Sequence, residues 1–278
     1  MTTDASAPAL SEGLASLRPM TLDEINARAA LVTRTCRKYL VPVTFVDSLF
    51  AGAEERFGVL TIGGRQVFQY SSTYLDTPDL RTFHAHRGGR RVRFKARVRT
   101  YVDTGTRMFE VKLKGARGVT DKTRIEYGGP PDRLTPVTRR FLDDTLRGYG
   151  MDPPDVLTAS AVTDYRRTTV VSFSGEERVT VDTDLVGYRN GWSVGMRPDT
   201  VLLEVKTRGG LTSTERRLHQ HGFREVGFSK YGATVTVLEP RLRGNRWHRA
   251  MTACLDHQVP VPVSAPAPQE QVGAALHT

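Results

Sequence analysis

Polar and apolar residues alternate with a period of two in most segments between residues 59 and 238, a pattern typical of half-buried β-strands. Eight segments of this kind are rich in β-branched and aromatic residues and are bounded by Gly, Pro, Asp or Ser. They are residues 59–76, 90–101, 107–115, 121–129, 163–173, 177–185, 200–208 and 229–238. This density of strands predicts an α+β fold in which an antiparallel sheet or barrel is flanked by a few helices.

Three other segments carry the signals of α-helices. The segment TLDEINARAALVTRTCRKYL opens with Thr21 and Glu24 in capping-box spacing and continues with helical periodicity. The segment VTRRFLDDTLRGYG predicts a second helix. The segment LTSTERRLHQHG predicts a third, which begins at Thr212 or Ser213 and ends at Gly222.

The strand RRVRFKARVRTY, residues 90–101, separates its charged and apolar residues onto opposite faces. Val92, Phe94, Ala96 and Val98 share one face. The other face carries only cations, namely Arg91, Arg93, Lys95, Arg97 and Arg99. The same division occurs in RMFEVKLK, DKTRIEY, ERVTVDTDL and VLLEVKTR, so each central strand is predicted to have one apolar and one charged face.

Two arrangements explain these charged faces. In an ordinary antiparallel sheet the charged face lies in water, but such a face normally mixes signs because neighbouring like charges repel. In the second arrangement, which we favour, the charged faces point into the lumen of a barrel and helices or neighbouring strands cover the apolar faces. Cations gathered in a lumen raise the cost of folding unless a polyanion fills it, and a chain of phosphates meets that requirement. The few acids would then hold a divalent metal, which prefers oxygen ligands.

The composition agrees with a folded protein that has an anionic partner. The 278 residues are 38% apolar and 25% charged, which suffices for a substantial core. Forty Lys and Arg residues against thirty Asp and Glu residues give a net charge of +10, which favours nucleic acid, anionic lipid or a phosphorylated small molecule. The basic strand has little aromatic interleaving, so we do not expect nucleic acid.

The two ends of the chain and the cysteines set further expectations. Residues 1–18 are rich in Ala, Ser and Thr and residues 257–278 in Pro and Ala, so both are predicted to be disordered around a folded domain at 19–256. Cys36 and Cys254 suggest neither a disulfide framework nor a metal site, and a cytoplasmic location is expected. The sequence contains no secretion signal pattern and no long apolar run, so we expect neither export nor a membrane span.

Other candidate motifs predict no separate site. The chain has no P-loop and no dinucleotide-binding glycine pattern. His84 and His86 have a spacing that could bind a metal, but without an evident third ligand nearby we expect an exposed turn. Asp182 and Asp184 could assist a metal or play a hydrogen-bonded structural role, and the residues do not decide between these.

Nine short pieces of the chain, in a fixed order, resemble one known family. They are RKYLVP at Arg37, SSTYLDTPDLRTFHAH at Ser71, FKARVRTY at Phe94, FEVKLKG at Phe109, DKTRIEY at Asp121, TDYRRT at Thr163, ERVTVDTDL at Glu177, LLEVKT at Leu202 and FSKYGA at Phe228. Together they resemble the VTC domain, the catalytic module of the vacuolar transporter chaperone polyphosphate polymerase and its bacterial relatives. That family belongs to the CYTH-like triphosphate tunnel metalloenzyme superfamily. The pieces extend over nearly the whole folded part of the chain.

This resemblance implies an antiparallel β-barrel tunnel with a charged lumen, which binds a nucleoside triphosphate and inorganic phosphate chains with Mn²⁺ or Mg²⁺. The implied phosphate-binding residues, with Lys95 added from the cationic strand, are Lys38, Lys95, Arg97, Arg99, Lys112, Lys122, Arg124, Arg167, Arg178, Lys206, Ser229 and Lys230. Glu204 resembles the metal ligand. The residues expected to act in catalysis are Arg97, Arg99, Glu204 and Lys230.

The expected function is therefore that of an ATP-dependent polyphosphate polymerase, which moves the terminal phosphate of ATP onto a growing polyphosphate chain without a covalent protein intermediate. A tripolyphosphate or polyphosphate hydrolase with the same tunnel, and a non-catalytic polyphosphate-binding module, are the alternatives. The sequence leaves a membrane partner protein open. The chain departs from the family pattern at Gly227, where a basic residue is expected two positions before Ser229, and Arg224 could supply the missing charge.

Overall fold

β-Strands dominate the structure, a computed structural model in which residues 12–28, 35–114, 120–239, 241–242, 245–255 and 261–262 are described. The strands are β1 (Arg18–Met20), β2 (Thr35–Pro42), β3 (Phe57–Leu60), β4 (Phe68–Asp76), β5 (Arg93–Tyr101), β6 (Arg107–Lys114), β7 (Thr120–Glu126), β8 (Thr158–Ser172), β9 (Glu177–Arg189), β10 (Trp192–Gly195), β11 (Thr200–Thr207) and β12 (Val261–Pro262). The helices are α1 (Glu12–Ala15), α2 (Leu22–Arg28), α3 (Val43–Phe50), α4 (Arg81–Arg87), α5 (Pro136–Gly148), α6 (Ser213–Gln220), α7 (Lys230–Leu238) and α8 (His248–Cys254), with a 3-10 turn at Asn245–Trp247.

Eight strands follow one another in the order β2-β11-β9-β8-β4-β5-β6-β7, and each pairing along this path is antiparallel. β3 and β10 extend the sheet along β8 and β9, β12 pairs with β10, and β1 pairs with β3 in parallel. Ser229 and Lys230, at the start of α7, contact Lys95 on β5 and Asp182 on β9, which lie three places apart in the strand order, so the sheet curls around the start of α7. Within the described residues, β2 and β7 share no backbone hydrogen bonds, so the α+β fold with its antiparallel sheet is confirmed but the barrel is not closed.

Two apolar clusters cover the convex face of the curled sheet. Phe94, Val98 and Phe109 of β5 and β6 pack against Leu142 and Leu146 of α5, and all five side chains are buried. A second cluster joins apolar side chains of β9 and β11 to α3 and α6. Since the apolar face of each central strand is covered by helices, the charged face must lie on the concave side. Among the described residues, the helices are too short and too polar to cross a bilayer.

The predicted helix starts are confirmed where the structure describes them. The Thr21 backbone N–H donates to Glu24 Oε2 at 2.8 Å, and the Glu24 N–H donates to Thr21 Oγ1 at 3.2 Å, which is the reciprocal capping box expected from their spacing. α6 lies within the segment predicted for it and is capped by Thr212, and α5 starts at Pro136, one residue before its predicted segment. The first helix was predicted too long, because residues 35–40 belong to β2, where each backbone group can pair with β11. Residues 29–34 lie outside the described residues.

The strand predicted at 229–238 is wrong, because this segment forms α7. Its β-branched residues favour a strand locally, but the Ser229 side chain accepts the Gly232 backbone N–H at 3.1 Å and starts a helix instead. Tyr231 and Val235 are 1% and 0% exposed in the cluster that joins α7 to α4 and α8. A helix buried on nearly all sides shows no amphipathic period, so the sequence pattern could not reveal it.

The fold extends further toward the N-terminus than predicted. Residues 12–18 were placed in a disordered segment, but they form α1 and the start of β1, with Leu14 and Leu17 only 3% and 1% exposed. Two leucines are enough to dock a short helix on a larger apolar cluster, which the Ala/Ser/Thr-rich composition conceals. Residues 1–11 lie outside the described residues. Of 257–278, only Val261–Pro262 is described, as β12 beside β10.

Candidate functional site

The charged residues of the central strands converge on the concave face of the sheet, and the space there is referred to below as the lumen. Glu204 of β11 raises the pKa of Lys38 on β2 against the opposing effect of burial, and it acts in the same direction on Lys112 of β6. Lys38 and Glu204 are direct partners in the β2–β11 ladder, and the influence of Glu204 on Lys112 needs a short distance, so β6 lies opposite this pair. The lumen is lined by Lys38 (β2), Lys95, Arg97 and Arg99 (β5), Glu110 and Lys112 (β6), Lys122 (β7), Arg167 (β8), Asp182 (β9), Glu204 and Lys206 (β11) and Lys230 (α7).

Asp182 is a fully buried carboxylate held by two lumen cations. It accepts hydrogen bonds from Arg167 Nε at 2.6 Å and Arg167 Nη2 at 2.8 Å, and from Lys230 Nζ at 2.5 Å. Arg167 and Asp182 are direct partners in the β8–β9 ladder, so the backbone register sets this bidentate pair. Burial would raise the pKa of Asp182, but Arg167 and Lys230 keep it below its ordinary value. Both carboxylate oxygens are therefore used within the protein.

A second carboxylate, Glu110, is shared in the same way between β5 and β7. Its Oε2 lies 2.6 Å from Arg97 Nη2, and its Oε1 lies 2.5 Å from Lys122 Nζ. Arg97 also donates to the Tyr74 hydroxyl at 3.1 Å, which fixes the plane of the guanidinium. Burial lowers the pKa of Lys122 to about 7, although Glu110 opposes that effect. Arg97 is thus preorganised, whereas Lys122 is poised to lose its proton near neutral pH.

Glu204 is the lumen carboxylate with the longest ion-pair distances. Its oxygens lie 3.6 Å from Lys206 Nζ and 3.8 Å from Lys230 Nζ. Burial would raise the pKa of this carboxyl, but the charges of Lys38, Lys230 and Lys206 hold it well below its ordinary value. Glu204 is therefore ionised, surrounded by cations and not clamped by a short pair.

Lys95 lies in the part of the lumen with the greatest excess of positive charge. Its Nζ donates to Ser229 Oγ, the capping hydroxyl of α7, at 3.1 Å. Burial lowers its pKa well below the ordinary value, and the charges of Lys112, Lys38 and Arg97 lower it further. A bound anion would relieve this repulsion, because it supplies the counter-charge that the lysines lack.

Tyrosines fix the arginines of the lumen from behind. Arg99 Nη2 donates to the Tyr165 hydroxyl at 2.9 Å, and its guanidinium carbon lies 5.4 Å from the centre of the Tyr70 ring. Arg167 lies 5.2 Å from the Tyr165 ring centre, and Lys230 Nζ lies 4.5 Å from it. The two rings stack on each other with centroids 5.5 Å apart. These cation–π contacts hold the cations in place without neutralising them.

Two further residues of the predicted phosphate-binding set, Arg124 and Arg178, are placed on the lumen side of the sheet by strand alternation. Arg124 is exposed and shares the face of Lys122 on β7, since Ile125 packs into the opposite apolar cluster. Arg178 is the direct partner of Lys206 in the β9–β11 ladder, so the two side chains share the lumen face of the sheet. The structure thus brings the predicted phosphate-binding set to one region, and the roles of its members stay predictions.

Asp184 is separated from the lumen although it lies two residues from Asp182 on β9. The β8–β9 register shifts between Asp164 and Arg166, and Asp184 adopts a positive φ of 52°. This bulge turns its side chain outward, where it is 45% exposed and lies 3.8 Å from Arg166. Asp184 therefore cannot assist a metal beside Glu204.

Arg224 does not replace a basic residue at Gly227. Its guanidinium donates to the carbonyls of His219 and Phe223 at 2.9 and 3.2 Å on the exposed side of the loop. The residue that approaches Gly227 is Arg246, whose carbonyl oxygen lies 3.4 Å from the position of a Cβ there. The exposed turn predicted at His84 and His86 is also wrong, because both lie in α4 and His86 stacks on Trp247.

The donor set fits a divalent cation only in part. Among the described residues, no three His, Cys, Asp or Glu side chains form a metal-binding cluster. Glu110 and Asp182 are held in short ion pairs, which leaves Glu204 as the lumen carboxylate that can turn toward a metal. Mg²⁺-like ions are commonly held by one or two carboxylates together with substrate phosphates and water. Glu204 thus fits a metal whose other ligands are phosphate oxygens.

Sequence reasoning left Asp182 open between metal binding and a structural hydrogen-bonding role, and it missed the support given by Tyr70. The Asp182 role depends on its ladder partner, Arg167, and no local pattern gives the register of two strands. Tyr70 shares a face of β4 with Ser72 and carries no charge, so strand alternation alone did not indicate a role in the site. An aromatic residue on a strand next to a cationic one is the signal that could have found it.

Comparison with known proteins gave a family match and several weak structural likenesses. The sequence profile of the VTC domain matches residues 33–239. A search of curated protein sequences gave no match. A proposed adenylyl cyclase from Hippeastrum, described as having a dominant triphosphatase activity, is 15% identical, with 73% of this chain and 95% of that chain covered and a TM-score of 0.39. A proposed adenylate cyclase from Vibrio parahaemolyticus is 15% identical, with coverages of 68% and 82% and a TM-score of 0.35.

Proposed function

The chain belongs to the VTC domain family, and we propose that it is a polyphosphate polymerase, which transfers the terminal phosphate of ATP to the end of an inorganic polyphosphate chain. The observation that carries this proposal is the charge of the lumen. Besides Arg124 and Arg178, nine cations and three carboxylates among the described residues line it, and two of those carboxylates form short ion pairs with two cations each. The lumen cations outside those pairs are Lys38, Lys95, Arg99, Lys112 and Lys206.

Such an excess of positive charge favours binding of a ligand with several closely spaced negative charges. The lysines repel one another in a partly enclosed space, and burial lowers the pKa values of Lys95 and Lys112. A chain of phosphates supplies one or more charges per unit along a line, which matches cations arranged at two-residue intervals on β5. A single small anion would satisfy only a fraction of them.

Phosphoryl transfer requires positioning and charge neutralisation more than covalent chemistry by the protein. Arg97 and Arg99, fixed by tyrosine hydroxyls at 3.1 and 2.9 Å, can hold the transferred group without reorganising during the reaction. Lys230 lies between Asp182 and Glu204 and can neutralise charge at the same place. Glu204 would hold Mn²⁺ or Mg²⁺, which supplies Lewis-acid polarisation of phosphate oxygens when bound.

The fixed ion pairs favour a phosphate chain end over water as the acceptor. The terminal oxygen of a phosphate chain is already largely ionised at neutral pH, because the second pKa of a phosphate group is about 6. It therefore needs no general base, whereas water does. Glu110 and Asp182 each contact two cations and are not placed to take a proton from water. Phosphoryl transfer to a phosphate chain is therefore favoured over hydrolysis. A cytoplasmic location stays a prediction.

Incubation of the purified protein with ATP and Mn²⁺, followed by gel electrophoresis and ³¹P NMR, tests the proposal. Polymerase activity gives a ladder of polyphosphate and an equal release of ADP. Free phosphate without a ladder would replace the proposal with a hydrolase, and no turnover with tight polyphosphate binding would leave a binding module. Arg97→Ala serves as the control, since loss of a fixed guanidinium should remove product whichever reaction occurs.

A further inference from the structure

A second group of cations lies at the end of the lumen where β5 begins. Arg93 is the first residue of β5, and its guanidinium donates to the carbonyl of Arg90. Arg246, in the 3-10 turn before α8, is exposed, and its Nη1 lies 2.8 Å from the position that a Cβ on Gly89 would occupy. The absence of a side chain at Gly89 therefore gives the Arg246 guanidinium room beside the start of β5.

Trp247 anchors this segment. Its side chain is 2% exposed and stacks on His86 of α4, with ring centroids 5.4 Å apart. A Cβ on Gly232 of α7 would lie 2.4 Å from the Trp247 ring, so this close approach requires glycine. A buried indole between two helices fixes the backbone of its neighbour, and Arg246 is held at the end of the lumen rather than on a loose tail.

The cations of this group continue the row that lines the lumen. Arg93 continues the row because strand alternation places it on the same face of β5 as Lys95 and Arg97. His86, which stacks on Trp247 beside Arg246, has its pKa lowered by burial and then by the charges of Lys95, Arg93 and Arg246. Within the residues that the structure describes, neither Arg93 nor Arg246 forms an ion pair. The positive potential of the lumen thus extends past Lys95 to Arg246, and among the described residues no carboxylate is ion-paired with either arginine of this group.

The length of the row exceeds what a triphosphate covers. Arg93 and Arg99 are six residues apart on β5, a separation of about 20 Å at roughly 3.3 Å per residue. Three linked phosphates placed beside Glu204 and Arg97 leave the end at Arg93 uncovered. A ligand that contacts both ends of the row must contain more phosphates.

We infer that Arg246 and Arg93 form an additional phosphate subsite, which binds the distal phosphates of a long inorganic polyphosphate and is not reached by a triphosphate. The inference rests on the proposed function, since it assumes that a phosphate chain occupies the lumen. It adds a selectivity to that function, because affinity rises with chain length beyond three phosphates. Arg246 lies outside residues 33–239, so this selectivity comes from a segment beyond the matched family region.

Isothermal titration calorimetry with tripolyphosphate and with a long polyphosphate of narrow length distribution tests the subsite. Arg246→Ala should lower the affinity for the long chain about tenfold and leave that for tripolyphosphate within about twofold. Arg249→Ala, which removes the same charge from an exposed position three residues further along, should leave both affinities within about twofold. Arg93→Gln should reproduce the selective loss from a different part of the chain, so a folding defect in one variant does not decide the result.

The outcomes separate the subsite from the proposed function. Equal losses for both ligands, or no loss for the long chain in Arg246→Ala and Arg93→Gln, would overturn the subsite. A wild-type protein that binds tripolyphosphate and the long chain equally tightly per molecule would overturn the subsite alone. A wild-type protein that binds neither ligand would overturn the proposed function as well.

Discussion

Replacing Asp182 with Asn removes one buried charge from the lumen and keeps the shape of the side chain. Asp182 is 0% exposed, and its partners Arg167 and Lys230 are 9% and 8% exposed. The amide can still accept one hydrogen bond, but it leaves Arg167 without its carboxylate partner and Lys230 with only the longer contact to Glu204 at 3.8 Å. The cost is therefore that of breaking a buried ion pair and not that of losing a surface contact.

Loss of one partner of a buried ion pair costs about 3–5 kcal/mol. For a domain of this size, 1 kcal/mol corresponds to about 2–4 °C in melting temperature, so the Asp182→Asn protein should melt roughly 10 °C below wild type. The matched control is Asp184→Asn, because Asp184 lies two residues away on β9 but is 45% exposed and turned outward. That control should change stability by no more than about 0.5 kcal/mol.

Differential scanning calorimetry in buffer free of phosphate gives the direct readout. Tripolyphosphate should narrow the gap between Asp182→Asn and wild type, because the ligand supplies charge that the variant lacks. A lower pH should also narrow the difference in melting temperature between Asp182→Asn and wild type. The folded-state pKa of Asp182 is lowered, so the stability that its charge contributes is present above the unfolded pKa near 4 and is lost as the pH falls. Equal melting temperatures for Asp182→Asn, Asp184→Asn and wild type at pH 7 would refute the network described for the lumen.

Three further predictions concern the ligand. Glu204→Gln should keep the fold and bind metal-free tripolyphosphate at least as tightly as wild type, because it removes a negative charge from a positive lumen. Its turnover, measured by ³¹P NMR, should fall by about a hundredfold or more. Near-normal turnover would mean that Glu204 has a structural role only. Tripolyphosphate should raise the melting temperature of the wild-type protein more than sulfate does at equal ionic strength. Arg97→Ala should reduce the rise caused by tripolyphosphate. Equal rises with both salts would indicate simple charge screening. The affinity for tripolyphosphate should weaken as the pH rises through about 7, where Lys122 loses its charge. Lys122→Arg should make the affinity, measured by calorimetry from pH 6 to 8, less dependent on pH. An unchanged pH dependence in the variant would assign the titration to another group.

The strand pattern and the polarity of each strand could be predicted from the sequence. The side chains of a strand alternate between faces, so Phe94 and Val98 had to be buried together and Lys95 and Arg97 had to share the other face. Spacing also predicted the capping box of Thr21 and Glu24, because the reciprocal bonds join residues only three apart. These features depend on local geometry, which a short stretch of sequence contains.

The same reasoning failed where a distant part of the chain decides the conformation. Parity placed Asp182 and Asp184 on one face, but a one-residue bulge against β8 turns Asp184 outward. The segment 229–238 has strand-forming residues, yet burial between α4, α8 and the sheet makes it a helix. In both places the energy of tertiary packing exceeds the local preference.

The sequence by itself determined that the protein has a sheet with one strongly cationic face and a carboxylate at Glu204 within it. Only the tertiary structure decided that Asp182 and Glu110 are held in ion pairs, and that the Arg246 guanidinium lies beside Gly89 near the start of β5. The period of a strand is a property of neighbouring residues, whereas strand register and helix docking join residues far apart in the chain. Which charges are neutralised, and which remain to bind a ligand, is therefore fixed only when the sheet curls and its strands meet.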